Sequence, residues 1–383
     1  MNTNNFEQLV DRKYTNSIKW DLYPEDVLPL WVADMDFEAP QPIVAALQHR
    51  IDHHVFGYEG TDEELLEAIC NWVEHRHQWA VTPDQIMLMN GVVSGMNWVA
   101  NAFIKDGKKL LIQPPVYPPF FQVAKNTDTE LVEAPLTCAE DGYQIDFEEF
   151  EKQAAAGVGV FILCNPHNPV GRVYTRAELE RMGEICLRYG VTICADEIHC
   201  DLVYPGHEHI SIASLSDELA ANTITLMAAS KTFNIPGLNF SFAVIPNEEN
   251  RKQMKKAASG MTGHAEILAN AAAKAAFTEC DAWLDELLIY LEGNRDYLLD
   301  FIQAEMPEIK CFQPQGTYLA WLDCRSLKLK PDAYHFFLEN AKVALNDGKT
   351  FGIQGNNFVR LNFGCPRATL QEALERMAAA LHK

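Results

Sequence analysis

Short apolar runs alternate with longer amphipathic stretches through the middle of this 383-residue chain. Seven runs of mostly apolar residues predict strands at Ile86–Met89, Lys109–Ile112, Glu130–Ala134, Val158–Cys164, Val191–Ala195, Thr223–Ala229 and Ser241–Ile245. Segments with helical spacing lie between several of them, for example Arg176–Tyr189. This alternation predicts an α/β fold in three layers, with a mostly parallel seven-stranded sheet between two layers of helices.

The flanks of this region predict a second, smaller α+β domain. Residues 264–305 are rich in Ala and Leu and contain no Pro, which predicts one long helix or two. Two strands, Gly316–Leu322 and Phe358–Phe363, and two amphipathic helices are predicted beyond residue 306. Residues 1–50 have no sheet of their own and are expected to join them. The predicted domains are 51–285 and, together, 1–50 with 286–383.

Composition and charge narrow the class of protein. The chain has 31 basic and 53 acidic residues and a net charge of −22, which argues against nucleic acid and anionic membranes as partners. The first residues hold no apolar signal region, and no run of about 18 apolar residues occurs. Ten cysteines without a CxxC pair predict reduced thiols. The expected location is the cytoplasm.

The most unusual placement of a charged residue is that of Lys231. It follows the apolar run that ends at Ala229 and precedes the turn Pro236-Gly237. A lysine in a desolvated pocket has a depressed pKa and becomes a nucleophile suited to Schiff-base chemistry. The alternative is a surface lysine just past a strand end, which is where most lysines lie.

Three further motifs come directly after predicted strands, where ligands of α/β sheets bind. The stretch Asn90–Gly95 opens a helix, whose first amides could hold an anion. Asn168 lies between two prolines in a turn and could present its amide to a ligand, or the turn could be ordinary. Asp196 needs a cationic partner if it is buried. A metal held by Asp196, His199 and His167 is an alternative that no paired metal-binding motif supports.

The order of these motifs along the chain is the Gly turn at 90–95, Tyr117, Asn168, Asp196, Ser230-Lys231 and Arg360. Taken in this order, the motifs resemble those of the fold-type I pyridoxal-phosphate enzymes, the aspartate aminotransferase superfamily. Finer motifs resemble its MalY/PatB-type branch, the cystathionine β-lyase-like C–S lyases. They are Leu30-Trp31-Val32-Ala33-Asp34-Met35-Asp36-Phe37, Phe56-Gly57-Tyr58, Gln113-Pro114-Pro115-Val116-Tyr117, the stretch 165–172, Asp196-Glu197-Ile198-His199, the stretch 230–238, and Arg360-Leu361-Asn362-Phe363-Gly364-Cys365-Pro366-Arg367. The resemblance extends over nearly the whole chain.

The resemblance implies roles around a pyridoxal 5′-phosphate ring. Lys231 would form the Schiff base and move the α-proton of the substrate. Asp196 would pair with the pyridinium nitrogen and so keep the ring an electron sink. Asn168 would hydrogen-bond the ring's phenolic oxygen, and Tyr117 would stack on the ring. His199 would contact the same oxygen or would simply be a packed histidine.

The resemblance also implies how phosphate and substrate are held. The backbone amides of Val92 and Val93 and the hydroxyl of Ser230 would bind the phosphate. Tyr58 would reach it from a second subunit, so that Tyr58, Tyr117 and Lys231 act together in catalysis. The substrate would be bound by Arg360, through a bidentate contact to its α-carboxylate, and near Ala33. No metal is expected.

Two positions depart from the pattern of many relatives. A phosphate-binding Ser three residues before the lysine is Ala228 here, and an Arg eight residues after it is Asn239. The phosphate therefore has fewer obvious partners.

The predicted function is the cleavage of a Cβ–S bond by a homodimer whose sites are shared between subunits. L-cystathionine or another cysteine S-conjugate would yield a thiol, pyruvate and ammonia. An aminotransferase would use the same residues and is the nearest alternative. A regulatory protein that keeps the cofactor and acts through a protein partner is the other.

Overall fold

The computed structural model describes residues 4–261 and 266–383. Its strands are β1 (Leu28–Pro29), β2 (Ile86–Met89), β3 (Lys109–Ile112), β4 (Leu131–Glu133), β5 (Leu136–Ala139), β6 (Gly142–Ile145), β7 (Val158–Cys164), β8 (Thr192–Asp196), β9 (Thr223–Met227), β10 (Ser241–Val244), β11 (Lys310–Cys311), β12 (Leu319–Asp323), β13 (Val343–Ala344), β14 (Asn346–Asp347) and β15 (Phe358–Asn362). Its helices are α1 (Ile18–Asp21), α2 (Gln41–Asp52), α3 (Glu63–His77), α4 (Val92–Phe103), α5 (Pro119–Asn126), α6 (Phe147–Ala155), α7 (Arg176–Tyr189), α8 (Asp217–Asn222), α9 (Ala229–Thr232), α10 (Glu248–Ala258), α11 (Ile267–Glu279), α12 (Asp281–Glu305), α13 (Ala333–Phe336) and α14 (Arg367–Leu381).

The predicted mostly parallel sheet of seven strands is confirmed. Its order is β2-β10-β9-β8-β7-β3-β4, and β10 alone runs antiparallel to its neighbours. The five strands from β9 to β4 are parallel, so their carboxyl ends form one edge of the sheet. Motifs that follow these strands are thereby brought to the same side of the molecule.

Both faces of the sheet are covered, which explains why its central strands are apolar throughout. All seven residues of β7 are buried. Successive side chains of a strand point to opposite faces. Accordingly Phe161 packs in the cluster that contains residues of α6 and α7, whereas Ile162 packs in the cluster that contains residues of α4 and α5.

A second sheet of four antiparallel strands, β11-β12-β15-β14, lies in the C-terminal part of the chain. The N-terminal segment reaches this part, because β1 pairs with β13. The sequence pattern did not predict β11, β13 or β14, since two residues show no periodicity, nor the hairpin formed by β5 and β6. The predicted domain boundaries stay a prediction.

Two sequence-based expectations need correction or refinement. The lysine does not sit directly on a strand end: β9 stops at Met227, and Lys231 lies in the short helix α9. The helical stretch 264–305 is two helices, α11 and α12, separated at Cys280, and its positions 264 and 265 lie outside the described residues. Within the described part of the chain, no helix is long and apolar enough to cross a membrane.

Candidate active site

A cavity of about 300 Å³ opens where the parallel strands end and the helices that follow them begin. Nine of the predicted site residues line it: Ala33, Val92, Val93, Tyr117, Asn168, Asp196, His199, Ser230 and Lys231. Ala228 and Asn239, the two departures from the expected phosphate site, line it as well. The strand order therefore brings together residues that are far apart in the sequence.

Lys231 presents its amine to this cavity from α9. Its Nζ donates a hydrogen bond of 2.6 Å to the carbonyl oxygen of Ala33. Burial of the amine lowers the pKa of Lys231 to about 8, and the positive charge of Arg360 adds to this effect. Asp34 and Asp196 act in the opposite direction. At neutral pH the amine is therefore far closer to its nucleophilic, neutral form than an ordinary lysine is.

Asp196 ends β8 and is buried, with 4% of its surface exposed. Among the described residues its carboxylate accepts one hydrogen bond, from the backbone amide of Ile198 at 3.2 Å. Burial raises the pKa of Asp196 to about 7, and neither the Ile198 amide nor the Lys231 charge compensates for it. A carboxylate in this state lacks a cation close by, and a protonated ring nitrogen in the cavity would be one.

The first turn of α4 forms an anion site in the wall of the cavity. Gly91 is its N-cap with φ of 102°, a left-handed conformation that favours glycine. The first amides of a helix have no partner within the helix, so those of Val92, Val93 and Ser94 are available to a ligand. Ser94, which the sequence reasoning missed, and Ser230 line the same wall. These groups fit a phosphate.

Arg360 lies in the middle of β15 and reaches Asn168 from the smaller sheet. Its guanidinium donates hydrogen bonds to the Asn168 amide oxygen at 3.0 Å, to the Trp31 carbonyl at 2.9 Å and to the Asn346 amide oxygen at 2.5 Å. Its Nε is buried without a hydrogen-bond partner among the described residues. Burial lowers the pKa of Arg360 to about 10. The unused donor fits a carboxylate ligand.

His199 lines the cavity, and Tyr318 packs against its ring. The His199 ring meets that of Tyr318 edge to face at 5.9 Å, and its Nδ1 is buried with no partner in the described part of the chain. Burial, with Lys231 and Arg360 nearby, holds the pKa of His199 well below its usual value. The Tyr318 hydroxyl donates to the Ala33 carbonyl at 2.8 Å, the same oxygen that accepts from Lys231. Sequence reasoning did not single out Tyr318.

Three predicted residues do not line the cavity: Tyr58, His167 and Arg360, the last of which contacts the cavity residue Asn168. Tyr58 lies between α2 and α3, outside the cavity lining, with 96% of its surface exposed. His167 is buried, and its ring nitrogens face the Pro115 carbonyl and the Tyr174 hydroxyl, both at 2.9 Å. His167 is therefore unsuited to join Asp196 and His199 in binding a metal, and the metal alternative is left without its third ligand.

The cavity fits pyridoxal 5′-phosphate on its own features. It combines a desolvated amine, a buried carboxylate that lacks a cation and a helix start that suits a phosphate. Since these groups line one cavity, a single ligand that carries an aldehyde, a basic ring nitrogen and a phosphate could engage all of them. The fold and the site thus define the class of cofactor-dependent enzymes that act on amino acids.

The comparisons with known proteins agree. The model of the family "Aminotransferase class I and II" matches residues 25–377, and the chain belongs to this family. Cystathionine beta-lyase PatB of Bacillus subtilis is 41% identical, over 98% of this chain and 100% of its own length. The crystal structure of cystalysin from Treponema denticola, which contains a pyridoxal 5′-phosphate cofactor, is 35% identical with a TM-score of 0.95 over 99% of both chains. The PLP-bound C–S lyase from Staphylococcus hominis is 31% identical with a TM-score of 0.93, over 99% of both chains.

Proposed function

We propose that this protein is a pyridoxal-phosphate-dependent C–S β-lyase that converts L-cystathionine or a related cysteine S-conjugate to a thiol, pyruvate and ammonia. The observation that carries the proposal is the single cavity that joins the Lys231 amine with the unpaired carboxylate of Asp196. The choice of a lyase over the other reactions of the family rests on the similarity to PatB and to two C–S lyase structures.

The residues of the chain divide the work. Pyridoxal phosphate, when bound, supplies an electron sink for the electron pair left at the substrate Cα. Lys231 removes the proton from Cα, which its lowered pKa allows near neutral pH. Arg360 binds the α-carboxylate and so fixes the Cα–H bond relative to Lys231. Loss of the thiolate from Cβ completes the elimination, and water hydrolyses the released 2-aminoacrylate to pyruvate and ammonia.

The other cavity residues hold the cofactor in this proposal. Asp196 pairs with the ring nitrogen, and Tyr117 stacks on the ring. Asn168 and His199 contact the phenolic oxygen of the ring. The phosphate is held by the amides of Val92 and Val93 and the Ser230 hydroxyl, and Ser94 and Asn239 take the place of the missing Ser and Arg. Ala33 anchors the Lys231 amine beside the substrate.

Product analysis tests the proposed function. Purified holoenzyme incubated with L-cystathionine alone should release pyruvate and ammonia in equal amounts to the thiol product. An aminotransferase, the nearest alternative, forms no pyruvate from this substrate and turns over only when a keto acid is added. Activity that depends on added keto acid would therefore replace the lyase proposal with the alternative.

We also propose that the protein is a cytoplasmic homodimer with shared sites. All ten cysteines are free in the structure, which suits a reducing compartment. Val55, Phe56 and Tyr58 form an exposed apolar segment, with 60%, 59% and 96% of their surfaces accessible in one chain. A segment of this kind is expected to be covered by a partner, and a second copy of this chain would bring Tyr58 to the neighbouring phosphate.

Subunit exchange tests the shared site. Mixing Tyr58→Phe with Lys231→Ala chains should restore activity toward about a quarter of wild type, because half of the dimers then hold one intact site of two. A mixture of Lys231→Ala with Arg360→Leu chains is the matched control and should restore nothing, since Lys231 lines the cavity and Arg360 contacts the cavity residue Asn168 within the same chain. Equal results for both mixtures, with exchange proven and Tyr58→Phe strongly impaired alone, would place Tyr58 outside the neighbouring site.

A further inference from the structure

A second buried carboxylate, that of Asp201, lies on the segment that follows Asp196. It accepts three hydrogen bonds from side chains: His77 Nε2 at 3.0 Å, Trp72 Nε1 at 3.1 Å and Thr232 Oγ1 at 2.7 Å. Burial acts to raise the pKa of Asp201, but the hydrogen bonds from His77, Thr232 and Trp72 outweigh it and hold the pKa below its usual value. Asp201 is thus ionised, and both of its carboxylate oxygens accept hydrogen bonds from side chains inside the protein.

The three donors come from two helices that are far apart in the sequence. His77 and Trp72 belong to α3. Thr232 is the last residue of α9 and directly follows Lys231. Asp201 itself continues the segment that carries Asp196 and His199 after β8. The Asp201 carboxylate therefore connects the segment that carries Asp196 to the helix α9 that carries Lys231.

A metal site at this place is the alternative explanation. Ligand atoms of His77, Cys200 and Asp201 lie within 4.8 Å of one another. However, the Trp72 indole has only an N–H to offer, and it points at the Asp201 oxygen. A cation beside that oxygen would repel this donor. The contacts favour a hydrogen-bonded junction.

The helix α9 needs such a connection because it is short. It has four residues and no side-chain hydrogen bond at its N-cap. The Lys231 amine has its own hydrogen bond to Ala33, but this contact must be given up when the amine reacts. The backbone around Lys231 is then held by the packing of α9, by the hydrogen bonds of Asn234 to Met35 and Phe37, and, directly beside the lysine, by the bond from Thr232 to Asp201.

We propose that Asp201 and Thr232 are positioning residues that fix the Lys231 amine relative to Asp196, an inference that rests on the proposed function. Neither side chain lines the cavity. Loosening this connection displaces the amine from the Cα proton and from the cofactor aldehyde, while the Arg360 carboxylate site is left as it is. The expected signature is a loss in kcat and in the rate of cofactor attachment, with little change in KM.

Thr232→Val removes the hydroxyl and keeps the shape of the side chain. Thr225→Val is the matched control: Thr225 is equally buried, lies on β9, and its hydroxyl has no hydrogen-bond partner in the described chain. Thr232→Ser retains the hydroxyl and should rescue the loss. Asp201→Asn is the second variant at the other end of the bond.

The first readout needs no turnover. Cofactor-free protein is mixed with pyridoxal phosphate, and the fraction attached to Lys231 is trapped with borohydride at successive times and measured by mass spectrometry. Attachment should slow about tenfold in Thr232→Val, the cost of one hydrogen bond to a charged group, and should be unchanged in Thr225→Val and near normal in Thr232→Ser. In the loaded enzymes kcat should fall by about tenfold or more in Thr232→Val, with KM within about twofold of wild type.

Two outcomes would overturn the inference: equal attachment rates and kcat in Thr232→Val and Thr225→Val, or one equivalent of tightly bound metal that Asp201→Asn releases. A wild-type protein that attaches no cofactor at all would instead contradict the proposed function, so the two failures are distinguishable.

Discussion

Asp196 and Asp201 are two buried carboxylates on one segment, and the protein treats them in opposite ways. Asp201 receives three side-chain donors, and its pKa is lowered. Asp196 receives one backbone amide, and burial raises its pKa to about 7. The chain itself supplies the hydrogen-bond partners of the Asp201 carboxylate. It leaves the Asp196 carboxylate without a cationic partner, which a ligand can supply. An incompletely paired buried charge therefore identifies the site.

Lys19, which is buried, and Lys231, which is partly exposed to the cavity, show the same contrast between a paired and an unpaired charge. Lys19 is 1% exposed and is bound to Asp36 at 2.7 Å, beside the Asp34 carbonyl at 3.1 Å. Among the described residues, the Lys231 amine has only the neutral Ala33 carbonyl within hydrogen-bond distance. The Lys19 pair belongs to the scaffold, whereas Lys231 keeps its reactivity because no carboxylate neutralises it.

The largest expected effect comes from replacing these lysines. Lys231→Ala should lower kcat by at least about a thousandfold, since a general base is lost together with the attachment point. Lys19→Ala should leave the site chemistry intact but cost about 3–5 kcal/mol in the free energy of unfolding, because Asp36 loses a buried partner. Steady-state kinetics and denaturant titration of both variants measure this. Similar activity losses in both would erase the distinction between scaffold and site.

The two aspartates should differ in the same sense. Asp196→Asn should lower kcat/KM by roughly a hundredfold to a thousandfold, as expected when a buried charge pair is broken, while the cofactor-free protein at pH 8 gains stability because an unpaired charge is gone. Asp201→Asn should destabilise the cofactor-free protein. Thermal unfolding without cofactor separates the two. Loss of stability in both variants would show that Asp196 already has its partner within the chain.

Arg360→Leu should have a smaller effect. The contact to the substrate carboxylate is worth roughly 1.5–3 kcal/mol, so kcat/KM should fall about tenfold to a hundredfold. The absorbance of the bound cofactor should barely change. Asn346→Ala is the control that removes a hydrogen-bond partner of the guanidinium but keeps the guanidinium itself. Asn346 accepts from Arg360 and does not line the cavity. Unchanged substrate affinity in Arg360→Leu would mean that the carboxylate binds elsewhere.

A further prediction concerns stability as a function of pH. The pKa of Asp196 is raised from 3.8 to about 7 in the folded chain, so its protonated form favours folding. This contribution is fully present below about pH 4, declines as the pH rises and is lost above about pH 7. Without cofactor, wild type should therefore lose on the order of a few kcal/mol relative to Asp196→Asn across this range. Parallel stability curves would contradict the raised pKa.

The large sheet and most site residues could be predicted because buried parallel strands are continuous apolar runs and their carboxyl ends share one edge. Asp196 directly follows such a run, and Lys231 lies two residues beyond another. Pairing across the fold was not predictable: nothing in the local sequence connects Thr232 to Asp201, or Arg360 to Asn346. The N-cap of α3 shows that local patterns can also leave neighbours undecided: Thr61 and Glu64 fit a capping pattern, but Asp62 is the N-cap and accepts from the Leu65 amide.

Nuclear magnetic resonance of the Asp196 carboxyl carbon, assigned by comparison of carbon-13-labelled wild type with Asp196→Asn, tests the central claim most directly. Without cofactor the signal should titrate near pH 7. With pyridoxal phosphate bound, the ring nitrogen supplies the missing cation, and the carboxylate should stay ionised down to well below its cofactor-free midpoint. A midpoint near 4 without cofactor, or one that does not move when the cofactor binds, would contradict the account.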